Sequence, residues 1–210
     1  MNKLLAIIGS ADLGQLIAHH AKSSSYEIVG YYDDFSSNKF NVDGLPILGK
    51  ISDVLKDYQA QKFDCLIVAI GYKHMEFRKS VFESFKNKIP FGSVIHPTTN
   101  MDKSCEIGEG CFILPGCVLD RNVKLHDNVL LNTGCILAHD SEIFAHSFLS
   151  PAVKIAGFSK VGECCNIGIN TTIIDNVIIS DYIQTGGGAV IVNSLKERGL
   201  YIGCPAKRIK

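Results

Sequence analysis

Residues 95–179 read IHPTTN-MDKSCE-IGEGCF-ILPGCV-LDRNVK-LHDNVL-LNTGCI-LAHDSE-IFAHSF-LSPAVK-IAGFSK-VGECCN-IGINTT-IIDNVI-I, divided here every six residues. The first position of each hexad, from Ile95 through Leu131 and Leu137 to Ile179, is always aliphatic or Met. Four residues further on runs a second series, among them Cys105, Cys111, Cys117, Val123, Cys135, Ser141, Ser147, Ser159, Cys165 and Thr171, almost all small or β-branched. A helix needs a 3.6 period and a half-buried strand a period of two. A strict period of six fits a solenoid of short strands, three hexads to a triangular coil, with the aliphatic slot filling the prism. Residue i is therefore expected to stack on residue i+18. The small slot packs beside the aliphatic one, and its cysteines read as small reduced hydrophobes.

Upstream the pattern changes. Residues 3–9 read as a buried parallel strand, followed by Gly9-Ser10-Ala11-Asp12-Leu13-Gly14 and a helix to about Lys22. A second strand, Glu27 to Tyr32, ends in Asp33-Asp34. Val42 to Gly49 is rich in turn residues. A third strand runs from Phe63 to Ile70 and is closed by Gly71. A helix from about His74 to Lys88 is expected to place Phe77, Val81, Phe82 and Phe85 on one face. Strands alternating with helices imply a doubly wound parallel sheet. The expected fold class is an α/β Rossmann-like domain over residues 1–94, followed by an all-β parallel solenoid over residues 95–210. At the other end Gly186-Gly187-Gly188-Ala189-Val190 reads as a break in the repeat, and Gly199 to Ile209 as its cap.

Composition narrows the function. The 210 residues carry 21 basic and 21 acidic side chains, so no electrostatic footprint for nucleic acid or an acidic membrane is present. No apolar run approaches a membrane span, and the N-terminal run is too short for a signal peptide. Eight cysteines include no C-x-x-C pair. Reduced thiols and a cytoplasmic location are expected, with no metal.

Two places carry chemistry. Gly9, Ala11 and Gly14 form a degraded dinucleotide fingerprint, and Asp33 and Asp34 stand where a ribose-binding acid would. NAD binding is the plainest reading. Ala11 where backbone must approach a pyrophosphate counts against it, as does the lack of a dehydrogenase catalytic domain. In the repeat, His139-Asp140 occupies no core slot. An imidazole with an adjacent carboxylate suits a general base, and a surface turn pair is the alternative. The i+18 rule sets Gly157 beside His139, where an accessible backbone N–H could hold an oxyanion. A three-histidine zinc site of the γ-carbonic anhydrase type, from His126, His139 and His146, is a weaker rival, because its spacing is wrong.

These residues carry a resemblance. The hexads, the Gly-x-Pro-Ala-Lys-like ending Gly203-Cys204-Pro205-Ala206-Lys207, the Asp33-Asp34 pair, the 42–49 and 69–72 segments and Asn132-Thr133 five residues before His139-Asp140 together resemble one family. It is that of the bacterial hexapeptide-repeat sugar acyltransferases of the sialic acid O-acetyltransferase and nucleotide-4-amino-sugar N-acetyltransferase type. The resemblance implies a left-handed β-helix, polysaccharide biosynthesis, and acetyl-CoA-dependent N-acetylation of a nucleotide-linked amino sugar. His139 would be the base, Asp140 its orienter, Asn132 a substrate-positioning residue and Gly157 the oxyanion donor. Gly9, Asp33, Asp34 and Gly71 would hold the nucleotide sugar. Ile169 and Gly187 would line coenzyme A in a homotrimer with sites between subunits. Sugar O-acetylation and a non-catalytic nucleotide-sugar-binding scaffold remain as alternatives. The chain departs from the family's pattern at Leu13, Gln15 and Phe148, the last replacing a second histidine.

Overall fold

The structure, a computed structural model, describes residues 2–37, 39–41 and 43–210. Val42, in the turn-rich segment above, lies outside them. The chain divides into two compact units, Met1–His96 and Pro97–Lys210.

The first unit is a parallel sheet of order β3-β2-β1-β4. Its strands are β1 (Lys3–Ile8), β2 (Tyr26–Tyr32), β3 (Ile47–Gly49) and β4 (Cys65–Val68), with helices α1 (Asp12–Ala21), α2 (Val54–Gln59) and α3 (Met75–Phe85). β1 is central, pairing Leu5 with Ile28 and Cys65. Its run of Leu5 to Ile8 is fully buried, as expected of a strand covered on both faces. Two expectations need correction. The turn-rich segment contains β3, which joins β2 at Tyr31↔Ile47 and is too short to show a period. On α3, Phe77 is 44% exposed, and Arg78 takes its place in the buried stripe with Val81, Phe82 and Phe85. Positions 78, 81, 82 and 85 are the i, i+3, i+4, i+7 face, and 77 sits one helical step off it. Arg78 tolerates burial because its guanidinium donates to the carbonyls of Val68 (2.9 Å) and Ile70 (3.2 Å) at the end of β4.

Gly14 sets how closely α1 lies on the sheet. A Cβ there would stand 2.1 Å from the Gly9 carbonyl oxygen. Gly9 itself has φ +104°, and a Cβ on it would stand 2.9 Å from the Ala69 carbonyl oxygen. The first and last glycines of the fingerprint thus each have a packing reason.

The second unit is a left-handed parallel β-helix whose coils obey the i+18 rule. Glu106, Lys124, Glu142, Lys160 and Ile178 stack in register on one face, and Val118, Ile136, Lys154, Thr172 and Val190 on another. Every aliphatic-slot residue from Ile113 to Ile179 is at most 3% exposed. The register persists at Thr172↔Val190 and Ile173↔Ile191, so the glycine run does not break the repeat. The spacing shortens only at the end, where Ile183 pairs with Gly199. The strand Lys207–Arg208 then closes that sheet antiparallel, pairing Tyr201 with Arg208 and covering the open edge.

The small slot is not purely hydrophobic. Cys111, Cys117, Cys135 and Cys165 direct their thiols to carbonyls fifteen residues on, at 3.1–3.3 Å, and Ser147 and Ser159 do the same at 2.7 Å. The slot holds small donors because each satisfies a corner carbonyl of the next coil. All eight cysteines are free thiols. The corners have a period of their own. The left-handed backbone recurs every six residues, through Gly110, Gly116, Asn122, Asn128, Gly134 and Asp140, then His146, Ala152, Phe158 and Cys164, to Asn170, Asn176, Tyr182 and Gly188. Gly, Asn and Asp are the residues that adopt it most readily.

Candidate active site

His139 and Asp140 form one corner of the prism. The left-handed backbone at Asp140 (φ +59°) turns its carboxylate back onto the preceding ring. His139 Nδ1 lies 3.0 Å from Asp140 Oδ2. The other carboxylate oxygen accepts from Asn122 Nδ2 at 2.9 Å, and the Arg121 guanidinium stands 3.6 Å from Oδ2. The Asn122 hydrogen bond foremost, then His139 and the Arg121 charge, hold the Asp140 carboxyl below the usual carboxylate range. An ionised Asp140 accepts from Nδ1–H, which assigns the imidazole proton to Nδ1 and leaves Nε2 as the basic nitrogen. The His139 side chain is 43% exposed.

Gly157 lies one coil on. A Cβ there would stand 2.7 Å from His139 Cε1 and 2.9 Å from Nε2, so no side chain fits while the ring holds this position. Gly157 accepts at its carbonyl from Asn176 N–H, and its own N–H has no hydrogen-bond partner among the described residues. The neighbouring Phe158 sets its ring edge-on to His139, centroids 5.1 Å apart. A base, its orienting acid and an unoccupied N–H thus meet at one corner. Such a set can take a proton from a nucleophile while a donor faces the developing oxyanion.

The other residues singled out by sequence fall elsewhere. Asn132 belongs to the preceding corner, where its Oδ1 accepts from Thr133 N–H at 2.8 Å, and no hydrogen bond joins it to His139. Ile169 and Gly187 do come together. A Cβ on Gly187 would stand 2.9 Å from Ile169 Cγ2, and Gly188 N–H donates to the Ile169 carbonyl at 2.7 Å. Ile169 is 55% exposed. The three histidines of the zinc alternative have separate partners: His126 meets Glu142 at 2.9 Å, His139 meets Asp140, and buried His146 meets Asn128 at 3.0 Å. Among the described residues no group of three or more His, Cys, Asp or Glu is placed to hold a metal ion. Phe148 lies in a strand between Leu130 and Asn166 and is buried. Sequence reasoning missed Asn122 and Phe158, although both sit eighteen residues from Asp140.

In the first unit, Gly9, Asp33, Asp34 and Gly71 all lie at or just beyond the carboxyl ends of β1, β2 and β4, where doubly wound sheets bind ligands. Asp33 is already engaged. Ser10 N–H and its hydroxyl donate to Oδ2 (2.9 and 2.5 Å), and Phe35 N–H donates to Oδ1 (2.9 Å). Burial opposes its ionisation, but these hydrogen bonds outweigh it and its carboxyl is held low. Asp34 accepts from Ile51 N–H through Oδ1 at 2.9 Å, and among the described residues no bond to Oδ2 is seen. A Cβ on Gly71 would meet nothing within 4 Å. Asp33 therefore shapes the loop, whereas Asp34 and Gly71 face open space.

Comparison with known proteins bears on both units. Residues 4–85 match the PglD N-terminal domain. The acetyltransferase domain of PglB from Neisseria gonorrhoeae, solved with acetyl coenzyme A, is 27% identical with a TM-score of 0.89, covering 100% of both chains. PerB from Caulobacter crescentus, solved with CoA and GDP-perosamine, is 26% identical with a TM-score of 0.90, covering 98% of this chain and 97% of that one. A histidine-to-alanine form of that GDP-perosamine N-acetyltransferase has been solved with the same two ligands. A UDP-3-O-acylglucosamine N-acyltransferase from Bordetella pertussis is 32% identical over 68 residues, a match spanning 32% of this chain and only 19% of that protein.

Proposed function

We propose that the chain belongs with the hexapeptide-repeat sugar acyltransferases it resembles, and that it transfers acetyl from acetyl-CoA to the amine of a nucleotide-linked amino sugar. The observation that carries this reading is the His139–Asp140 pair held over Gly157. The amine nitrogen attacks the thioester carbonyl as His139 Nε2 removes its proton. Asp140 stabilises the imidazolium, and Gly157 N–H holds the oxyanion. The tetrahedral intermediate collapses, the C–S bond breaks, and the departing thiolate takes the proton back from His139. General-base assistance of this kind contributes about 10²–10⁴-fold. Transfer is direct, through a ternary complex with no acyl-enzyme.

Gly9, Asp34 and Gly71 are proposed to hold the nucleotide, with Asp33 keeping their loop in shape. Asn132 is proposed to position the sugar. Ile169 and Gly187 are proposed to line the coenzyme A groove, in a homotrimer whose copies share sites. The exposure of Ile169 supports that groove. No helix among the described residues is long and apolar enough to cross a membrane. Eight free thiols support a reducing cytoplasm as the working compartment.

The test is an assay of acetyl-CoA with a panel of nucleotide-linked amino sugars and their hydroxyl counterparts, read by mass spectrometry. Acetyl on the amine is expected. An ester on a hydroxyl alone would shift the reading to O-acetylation, and no transfer to either would support a binding scaffold. A companion experiment separates the two units. Asp34→Ala is expected to raise KM for the nucleotide sugar about tenfold and leave KM for acetyl-CoA unchanged, the form that loss of uniform binding takes. Asp34→Asn keeps an acceptor for Ile51 N–H and controls for the loop. A change in KM for acetyl-CoA instead would reassign this end of the sheet to the cofactor.

A further inference from the structure

Phe158 is the residue that its own column does not explain. The corner column through Asp140 runs Asn122, Asp140, Phe158 and Asn176, with φ of +59°, +59°, +59° and +57°. Asn and Asp tolerate this conformation because a short polar side chain can bond the local backbone, whereas a bulky side chain there is an outlier. Burial does not account for it, since Phe158 is 54% exposed. Nor does the polar ladder, which links Asn122 to Asp140. Phe158 is tied instead to His139. Its ring stands 5.1 Å from the imidazole at 83°, while its N–H donates to the His139 carbonyl at 3.2 Å as Asp140 N–H does to Arg121 and Asn176 N–H to Gly157 at the neighbouring corners. His146, Ala152, Cys164 and Tyr182 hold the same left-handed backbone at other corners, so what sets Phe158 apart is an exposed aromatic ring standing beside the imidazole.

We propose that Phe158 determines acceptor specificity, forming an apolar wall on which the carbon face of the sugar ring packs so that its amine lines up with His139 Nε2. The inference rests on the N-acetyltransferase reading above. Three sides of the imidazole are accounted for: Asp140 at Nδ1, Gly157 along Cε1 and Nε2, and Phe158 at the edge. A nucleophile reaching Nε2 must bring its ring past Phe158. A pyranose presents C–H groups on its faces and hydroxyls at its rim, and an exposed aromatic ring matches the former. Small misplacement of a reacting amine is costly in rate, so a fixed wall beside the base acts on kcat/KM for the acceptor.

Phe158→Asn installs the residue found elsewhere in the column and removes the backbone outlier, while Phe158→Tyr keeps the ring. For each variant and the wild type, the melting temperature and the steady-state constants for both substrates are measured. Phe158→Asn is expected to melt no lower than wild type, to lose about tenfold or more in kcat/KM for the nucleotide amino sugar, and to keep KM for acetyl-CoA within about twofold. Phe158→Tyr is expected to stay within about threefold of wild type in all constants. Unchanged acceptor kcat/KM in Phe158→Asn, or a loss that falls on acetyl-CoA, overturns the proposal. So does a lower melting temperature with losses on both substrates, which would make Phe158 a packing residue. A wild type that acetylates no nucleotide amino sugar sinks the parent reading, and an active wild type with an equally active Phe158→Asn sinks this inference alone.

Discussion

His139→Ala lowers kcat by a hundredfold or more, on the order expected for loss of a general base, while the protein keeps its fold and its affinity for acetyl-CoA. The side chain lies in no core slot and is 43% exposed, so truncation leaves no cavity in the prism. Asp140→Asn is expected to do less. The Asp140 carboxylate accepts at both oxygens, from His139 Nδ1 and from Asn122 Nδ2. An asparagine has one acceptor to offer, so one of the two contacts becomes donor against donor. Its backbone suits the left-handed corner, and exposed Asn122 can turn away, which keeps the ring in place for a fraction of turnovers. Steady-state kinetics with a melting curve for each variant decide the matter. Activity within a few-fold of wild type in His139→Ala would remove His139 from the chemistry.

Gly157→Ala is expected to come close to the same loss by steric means. The added methyl would stand 2.7 Å from His139 Cε1 and 2.9 Å from Nε2, so the ring must swing away and the Nδ1 contact to Asp140 breaks. Displacing a catalytic group by about 1 Å can cost on the order of 10²-fold. Gly157 is buried, but its backbone is outside the left-handed region and the added methyl meets only the ring of half-exposed His139, which can swing toward solvent, so stability should hold to within about 1 kcal/mol. The diagnostic is a fall in kcat with the melting temperature and KM for acetyl-CoA unchanged. Retention of activity within about threefold would mean that the ring works from another position.

The repeat was legible because its period is geometric. A coil of eighteen residues forces Ile113, Leu131 and Leu149 into one stack, and neither a helix nor a flat strand places aliphatic residues at a strict six. The corners were equally legible and went unread: Gly110, Gly116, Asn122, Asn128 and Gly134 mark them in the sequence. Reading that series with the eighteen-residue stacking rule would have set Asn122 beside Asp140 and Phe158 beside His139. The donor role of the small slot was less accessible, since Cys and Ser look alike as small fillers until the carbonyl fifteen residues on is in place. In the first unit, β3 is three residues long and has no period to read, and Phe77 shows that one step around a helix separates a buried face from an exposed one. At the candidate site, adjacency in the chain revealed His139–Asp140 and the stacking rule revealed Gly157. Asn132 was carried in by resemblance, and within the chain its side chain serves its own turn.

The most direct test is a crystal structure with coenzyme A and the nucleotide amino sugar that the product assay identifies. The amine of that sugar should lie within hydrogen-bond reach of His139 Nε2, about 2.6–3.2 Å or through one water. Its nucleotide should lie at the carboxyl ends of β1, β2 and β4, and the CoA sulfur should lie near Gly157. A sugar bound with its amine out of reach of His139, and with another titratable group beside it, would contradict the account.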